Sequence, residues 1–182
     1  MSEALHEPVM VAEVLSFLAG RGSVLDLTLG AGGHAEALLD AGVGRVVGVD
    51  RDPEAIDLAT RRLARFGDRF VAVRARFSRF PSDAPVDGVL LDLGVSSMQL
   101  DRPERGFGYR TPGPLDMRMG PDATSAMDLV NDLPESDLAD VIFELGEERG
   151  SRRVAAAIVR ARHRAPIETT DELARIVAGA LG

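Results

Sequence analysis

Short apolar runs alternate with amphipathic stretches in the first half of the chain. The runs are predicted strands, over residues 23–28, 45–50, 69–74 and 86–92. The stretches are predicted helices, over residues 9–18, 33–41 and 53–67. Near-continuous apolar strands separated by helices are typical of a parallel sheet with both faces covered. We therefore predict an α/β fold with a four-stranded, incomplete parallel sheet.

The pattern changes after the fourth predicted strand. Residues 93–122 are rich in proline and glycine, and only helices follow, predicted over residues 125–131, 135–145, 151–163 and 170–181. We expect Gly146 to be the C-cap that follows one of these helices, and Thr169 with Glu172 to form a capping box for the last. The predicted organisation is a core over residues 1–101, followed by a loop and a helical domain over residues 102–182.

Composition excludes several classes of protein. The chain has 182 residues, 45% hydrophobic and 27% charged, which suits one domain or one domain with a small satellite. No apolar run approaches the roughly 18 residues of a membrane-spanning helix. The start of the chain does not match a secretory signal, so we expect a cytoplasmic protein without a membrane partner. There is no cysteine and the three histidines lack metal-ligand spacing, so we expect no metal site.

Charge is unevenly distributed along the chain. The net charge of −8 argues against nucleic-acid binding over the whole surface. Residues 51–110 nevertheless carry 11 arginines against 9 acids, so a local basic face stays open. The Arg152–Arg153 pair in a predicted helix is interpreted as part of a solvated helix face.

A glycine-rich loop follows the first predicted strand. Gly30, Gly32 and Ala35 match the pattern G-x-G-x-x-G/A, in which glycines allow a sharp turn and the helix start offers free N–H groups. Asp50 lies twenty residues after Gly30 at the end of the second strand, where a carboxylate accepts hydrogen bonds from ribose hydroxyls. Both features fit an NAD(P)-dependent oxidoreductase or an S-adenosylmethionine-dependent enzyme.

Two further acids favour S-adenosyl-L-methionine as the cofactor. Asp26, four residues before Gly30, suits a ligand with a cationic amino-acid end better than a pyrophosphate. Asp92 opens the segment DLGVSS after the fourth strand. The carboxyl ends of parallel strands share one sheet edge, so Asp92 would face a sulfonium ligand.

Longer motifs resemble one family. The loop LTLGAGGHAEALL, the strand end GVDRDPEAI and the run LLDLGVSSMQLDRPERGFGYRTPGPLDMRM resemble the bacterial ribosomal small-subunit RNA cytosine-N4 methyltransferase family, and the resemblance covers nearly the whole chain. It implies a Rossmann-like methyltransferase core interrupted by a helical substrate domain. The implied reaction moves a methyl group from S-adenosylmethionine to the N4 amine of a cytidine in 16S ribosomal RNA, in the decoding region of the small subunit.

The resemblance also implies cofactor contacts, which are Gly32, Gly33, His34, Asp50, Phe77, Asp92 and Gln99. Methyl transfer to an amine needs an acceptor for its proton, and the candidates in DLGVSS are Asp92 and Ser96. For RNA we favour arginines flanking aromatic residues, since guanidinium binds phosphate and a ring stacks on a splayed base. These residues are Arg102, Arg105, Phe107, Tyr109, Arg110 and Arg118.

The family's later core strands and its C-terminal motifs have no counterpart in the sequence. We therefore expect the chain to correspond to the N-terminal portion of such an enzyme. A non-catalytic RNA-binding fragment stays open as an alternative, as does the NAD(P)-dependent oxidoreductase. A homodimer is a candidate oligomeric state.

Overall fold

The computed structural model describes residues 8–81, 84–121 and 123–182. Its strands are β1 (Ser23–Asp26), β2 (Arg45–Asp50), β3 (Phe70–Arg74) and β4 (Gly88–Leu90). Its helices are α1 (Val11–Leu18), α2 (Gly33–Asp40), α3 (Pro53–Leu63), α4 (Ser97–Asp101), α5 (Ala126–Asp132), α6 (Glu135–Gly146), α7 (Ser151–Arg162) and α8 (Thr170–Leu181). Short 3-10 helices span Ala64–Arg69, Phe77–Arg79 and Pro103–Arg105.

The chain forms two compact units, which meet in sequence between Gly94 and Val95. The division therefore falls before the segment VSSMQL, whereas the sequence placed the boundary after residue 101. No helix among the described residues is long and apolar enough to cross a membrane.

The first unit is built on a parallel sheet with strand order β3-β2-β1-β4. This confirms the predicted Rossmann-like sheet. Strand β4 is shorter than the predicted run over residues 86–92, and beyond its ends side chains share the hydrogen bonding with the backbone. The Asp87 carboxylate accepts the Ser23 N–H at 2.8 Å, and the Asp92 N–H donates to the Thr28 hydroxyl at 2.7 Å.

Helices α2 and α3 bury apolar side chains against the sheet. Leu38 of α2 and Leu63 of α3 are fully buried with Val24 and Val46 of the two central strands. Helix α3 begins as the sequence predicts, since Asp52 accepts the Glu54 N–H at 3.0 Å and Pro53 occupies the first turn. This packing fixes the strand ends from which the candidate site is built.

The second unit has its own apolar core. Leu115, from the segment that precedes the helices, is 2% exposed and packs with residues of α6 and α7. Arg162 near the end of α7 donates to the carbonyls of Val130 and Leu133, both at 2.7 Å. These bonds satisfy carbonyls at the end of α5, which have no partner within their own helix.

Two predicted helix ends are wrong. Helix α6 includes Gly146, and Glu147 takes the left-handed conformation with φ of 53° instead. Thr169 precedes α8 without a side-chain cap to the helix backbone. Capping boxes stand instead at Ser96, which starts α4, and at Ser125, which starts α5.

Candidate functional site

The loop between β1 and α2 needs glycine at consecutive positions. Gly30 and Gly32 have φ of 52° and 82°, in the left-handed region that other residues rarely adopt. A Cβ on Gly32 would lie 3.0 Å from Leu63 Cδ1, and one on Gly33 would clash with Pro8. Among the described residues no side chain caps the start of α2, so its first N–H groups remain available to a ligand.

Asp50, at the end of β2, braces this loop. Its Oδ2 accepts the Gly30 N–H and its Oδ1 accepts the Asp52 N–H, both at 2.9 Å. The residue is half-buried. A carboxylate oxygen can accept two hydrogen bonds, so each oxygen of Asp50 keeps one free acceptor position. The side chain is therefore held rigidly and can still receive two hydroxyl groups.

Asp92 and His34 lie near each other at the same sheet edge. The His34 Nδ1 is 4.0 Å from the Asp92 Oδ2. The other ring nitrogen, Nε2, is 2.8 Å from the Val9 carbonyl oxygen. A carbonyl can only accept, so Nε2 carries a proton. The 4.0 Å between Nδ1 and the Asp92 Oδ2 is too long for a hydrogen bond, and the Asp92 side chain is 54% exposed.

Asp26 is a second, hidden acid at the end of β1. It is 1% exposed, its Oδ1 accepts the Thr28 N–H at 3.1 Å, and its Oδ2 has no hydrogen-bond partner among the residues that the structure describes. Burial raises the pKa of the Asp26 carboxyl to about 6, against a smaller lowering by the Thr28 hydrogen bond. The sequence suggested that Asp26 meets a cationic ligand. In this structure its burial allows it to act on a ligand only through its charge.

Phe77 follows β3 by three residues and is 49% exposed. The Ala75 N–H just before it donates to the Asp50 carbonyl at 2.9 Å, so this turn is tied to the end of β2. An aromatic side chain beside a strand is more often in the core. Its exposure suits the predicted contact with an adenine ring, which stays a prediction.

Ser96 and Gln99 belong to the second unit and are bound to each other's backbone. The Ser96 hydroxyl accepts the Gln99 N–H at 3.4 Å, and the Gln99 Oε1 accepts the Ser96 N–H at 2.9 Å. Gln99 is 7% exposed. Both side chains thus have a structural role as the cap of α4, and their roles toward amine and cofactor stay predictions.

The predicted RNA-binding segment is internally bonded in part. Arg118 donates to both carboxylate oxygens of Asp116, at 2.9 and 2.7 Å, and these bonds hold the pKa of the Asp116 carboxyl below its usual range. Arg105 donates to the Arg118 carbonyl at 3.2 Å. Tyr109 is 67% exposed and Arg110 is also exposed.

Three other members of the predicted set are less open. Arg102, Arg105 and Phe107 are half-buried. Tyr109 and Arg110 are therefore the most exposed pair of the predicted set, and their contact with RNA stays a prediction.

The sequence of the chain matches a known protein family. A model described as the MraW methylase family matches residues 3–182. The chain belongs to the MraW methylase family. This match covers both units and includes every residue of the candidate site.

Individual relatives agree with the family. The chain is 53% identical over 179 residues to a ribosomal RNA small subunit methyltransferase H of Cereibacter sphaeroides, a match that covers 97% of this chain and 54% of the relative. It is 53% identical over 189 residues to a protein of the same name from a Methylobacterium strain, with 98% and 56% covered. The chain thus spans about half the length of these relatives.

The solved structures include a protein-L-isoaspartate O-methyltransferase with a partial likeness. The TM-score is 0.42 at 21% identity, and the match covers 63% of this chain and 39% of the other. Membership of the MraW methylase family rests on the sequence matches.

Sequence reasoning missed one residue that positions this family member's site. Thr28 holds the backbone of Asp92 through its hydroxyl and the carboxylate of Asp26 through its N–H. It thereby links the ends of β1 and β4. A hydroxyl residue at the end of a predicted buried strand was the only available signal, and that signal is common in turns.

Proposed function

We propose that the chain forms about half of an enzyme that methylates the N4 amine of a cytidine in 16S ribosomal RNA, in the decoding region of the small subunit, with S-adenosylmethionine as the methyl donor. The observation that carries this proposal is the grouping at one sheet edge. A glycine loop follows β1, Asp50 ends β2 and Asp92 follows β4. Ligands of parallel α/β sheets bind at this edge.

The residues present fit that cofactor. Asp50 keeps two acceptor positions for the two ribose hydroxyls, and the amides at the start of α2 suit the methionine carboxylate. Asp92 and Asp26 place negative charge near the end of the sheet where a cationic sulfonium and amino group would lie. A pyrophosphate, as in NAD, would be repelled by the same two acids.

The cofactor supplies an electrophilic methyl group when bound. The cytosine amine is a weak nucleophile because its lone pair is delocalised into the ring. The protein must therefore hold the amine in line, about 3 Å from the methyl carbon, and accept its proton. Asp92 is our candidate acceptor, since its carboxylate is exposed and the Thr28 hydroxyl fixes its backbone. Ser96 is the second candidate.

Calorimetric titration of the chain with S-adenosylmethionine and with NAD tests the cofactor. Asp50→Ala should weaken S-adenosylmethionine binding by about 1–3 kcal/mol through lost hydrogen bonds to ribose. Asp57→Ala removes an exposed acid of α3 and is the matched control, which we expect to bind normally. Unchanged affinity in the Asp50 variant would remove that residue from the site, and preferential binding of NAD would favour the oxidoreductase.

Activity is tested separately. The protein at the full length of its relatives and the 182-residue chain should each be incubated with small subunits that lack the modification. Mass spectrometry of the 16S ribosomal RNA then detects N4-methylcytidine. Methylation by the longer protein alone would support the alternative that this chain binds RNA without catalysis. Absence of N4-methylcytidine with both proteins would refute the proposed substrate. A cytoplasmic location and a homodimer stay predictions.

A further inference from the structure

The helical unit has a cationic cleft between α7 and α8. The cleft has a volume of about 410 Å³ and is lined by Arg152, Arg153, Ala156, Arg160, Gly179 and Ala180. Its charged lining consists of arginine alone, although the chain as a whole carries a net charge of −8. A concentration of one sign of charge in a concave surface attracts the opposite charge.

The three arginines of this cleft make no polar side-chain contact within the described part of the chain. Each is exposed, and none forms a hydrogen bond or ion pair with another described residue. Arg162 on the same helix is different, because it caps carbonyls at the end of α5. Arg175 on α8 differs as well, since it pairs with Asp171 at 3.2 Å. The cleft arginines are therefore free to meet an external anion.

The spacing along α7 points to an extended anion. Arg152, Ala156 and Arg160 follow one another at intervals of four residues and so share one face of the helix. The two arginines are separated by about 12 Å along the axis, from a rise of 1.5 Å per residue. A row of guanidinium groups of that length suits successive phosphates better than one small ion.

The opposite wall leaves the cleft open. Gly179 and Ala180 of α8 carry no side chain that could cover the guanidinium groups. A Cβ built on Gly179 would meet no atom within 4 Å, so the space beside it is empty.

We propose that this cleft binds the phosphate backbone of RNA, as a second contact surface separate from the segment around Tyr109 and Arg110. The proposal rests on the proposed function, because it assumes that the substrate is RNA. Binding to phosphates through arginine is independent of base sequence. The role of the cleft is thus to hold an RNA strand in register, while other residues select the cytidine.

Fluorescence anisotropy with a labelled 20-nucleotide single-stranded RNA of mixed sequence tests this surface. Replacing the three cleft arginines by alanine should make the slope of log K against log salt less negative by about 2, since each single-strand phosphate contact contributes about −0.7. At 0.1 M salt this corresponds to roughly 100-fold weaker binding. Arg160→Ala alone should lose about fivefold. Arg175→Ala removes the same charge from a paired residue of the same unit and should bind nearly normally.

A second pair of variants separates charge from shape. Gly179→Glu places a carboxylate beside the arginines in open space, and Gly179→Gln adds a side chain of the same size without charge. RNA binding should be lost with Glu and largely kept with Gln. Equal loss with both variants would mean that bulk, and not charge, matters, which contradicts a phosphate site.

The competing explanation is that these arginines stabilise α8. Cations near the carboxyl end of a helix interact favourably with its dipole, and α8 ends at Leu181. In that case the arginine variants would melt at lower temperature and bind RNA like the unmodified chain. That result overturns the proposal, as does a failure of the unmodified chain to bind RNA.

The proposed function is judged by other measurements. Titration with S-adenosylmethionine and methylation by the longer protein do not depend on the cleft variants. Inorganic phosphate should compete with RNA only weakly. Competition by phosphate as strong as that by unlabelled RNA would reduce the cleft to a site for a single anion and contradict the extended contact.

Discussion

Asp26→Asn should remove the pH dependence of stability that the buried Asp26 carboxyl causes. The residue is 1% exposed, and its Oδ2 has no hydrogen-bond partner in the described part of the chain. Burial raises its pKa from 3.8 to about 6. The folded protein therefore holds this proton more tightly than the unfolded chain, and stability falls as pH rises from 3.8 to about 6. Above that range the loss is constant.

The magnitude follows from the shift. A difference of about two pKa units, at 1.36 kcal/mol per unit, corresponds to a total loss of about 3 kcal/mol. About 2 kcal/mol of this loss falls between pH 4.5 and pH 7.5, calculated from the same two pKa values. Asparagine has nearly the shape of the protonated acid, and its oxygen can still accept the Thr28 N–H. It carries no titrating group, so the variant should escape this loss.

Urea denaturation followed by circular dichroism at several pH values measures the effect. The free energy of unfolding of Asp26→Asn, minus that of the unmodified chain, should grow by about 2 kcal/mol from pH 4.5 to pH 7.5. Asp57→Asn changes an exposed acid in the same unit and should show a difference that is nearly independent of pH. If the Asp26 difference is also flat with pH, the carboxyl does not titrate near 6 and the reasoning from burial is refuted.

Three further predictions concern the surface. Replacing Tyr109 and Arg110 by alanine should weaken RNA binding and reduce its dependence on salt. The affinity for S-adenosylmethionine, measured by calorimetry, should not change. Loss of cofactor affinity alone would mean that the segment is a cofactor lid. Glu147→Gly should raise the free energy of unfolding by about 0.5–1 kcal/mol, because φ is 53° there, and an unchanged denaturation midpoint would contradict this. The outer edge of β4 has no neighbour among the described strands, and Val89 and Leu91 are exposed in and beside that strand. The chain should therefore self-associate in sedimentation more than the longer protein does, and a monomer with one cooperative melt would refute this.

Features governed by local chemistry were predictable from the sequence. The four-stranded parallel sheet follows from apolar runs and intervening helices, and the start of α3 follows from the Asp52–Pro53 pair. The prediction that Asp50 and the glycine loop contribute to one binding site rests on sequence spacing alone. The structure places the two in direct hydrogen-bond contact, through the Gly30 N–H.

Features governed by tertiary packing were not predictable. The segment over residues 93–122 is rich in proline and glycine, yet its Leu115 is buried in the helical core. Arg118 looked available for phosphate, but Asp116 two residues earlier binds its guanidinium. The arginines of α7 looked like an ordinary solvated face, and only the packing of α8 beside them forms a cleft.

The shortness of β4 has a consequence for the dynamics of the site. The strand pairs with β1 at three positions, the last of which joins Leu90 to Asp26, and its other edge has no neighbour among the described strands. Strands with few hydrogen bonds open locally at lower free energy than central ones. The amides of Val89 and Leu90 should thus exchange with deuterium faster than those of Val46 and Val47 in β2. A ligand that contacts Asp92 would bind best when β4 is closed, so it should slow that exchange and order the strand that carries the candidate proton acceptor.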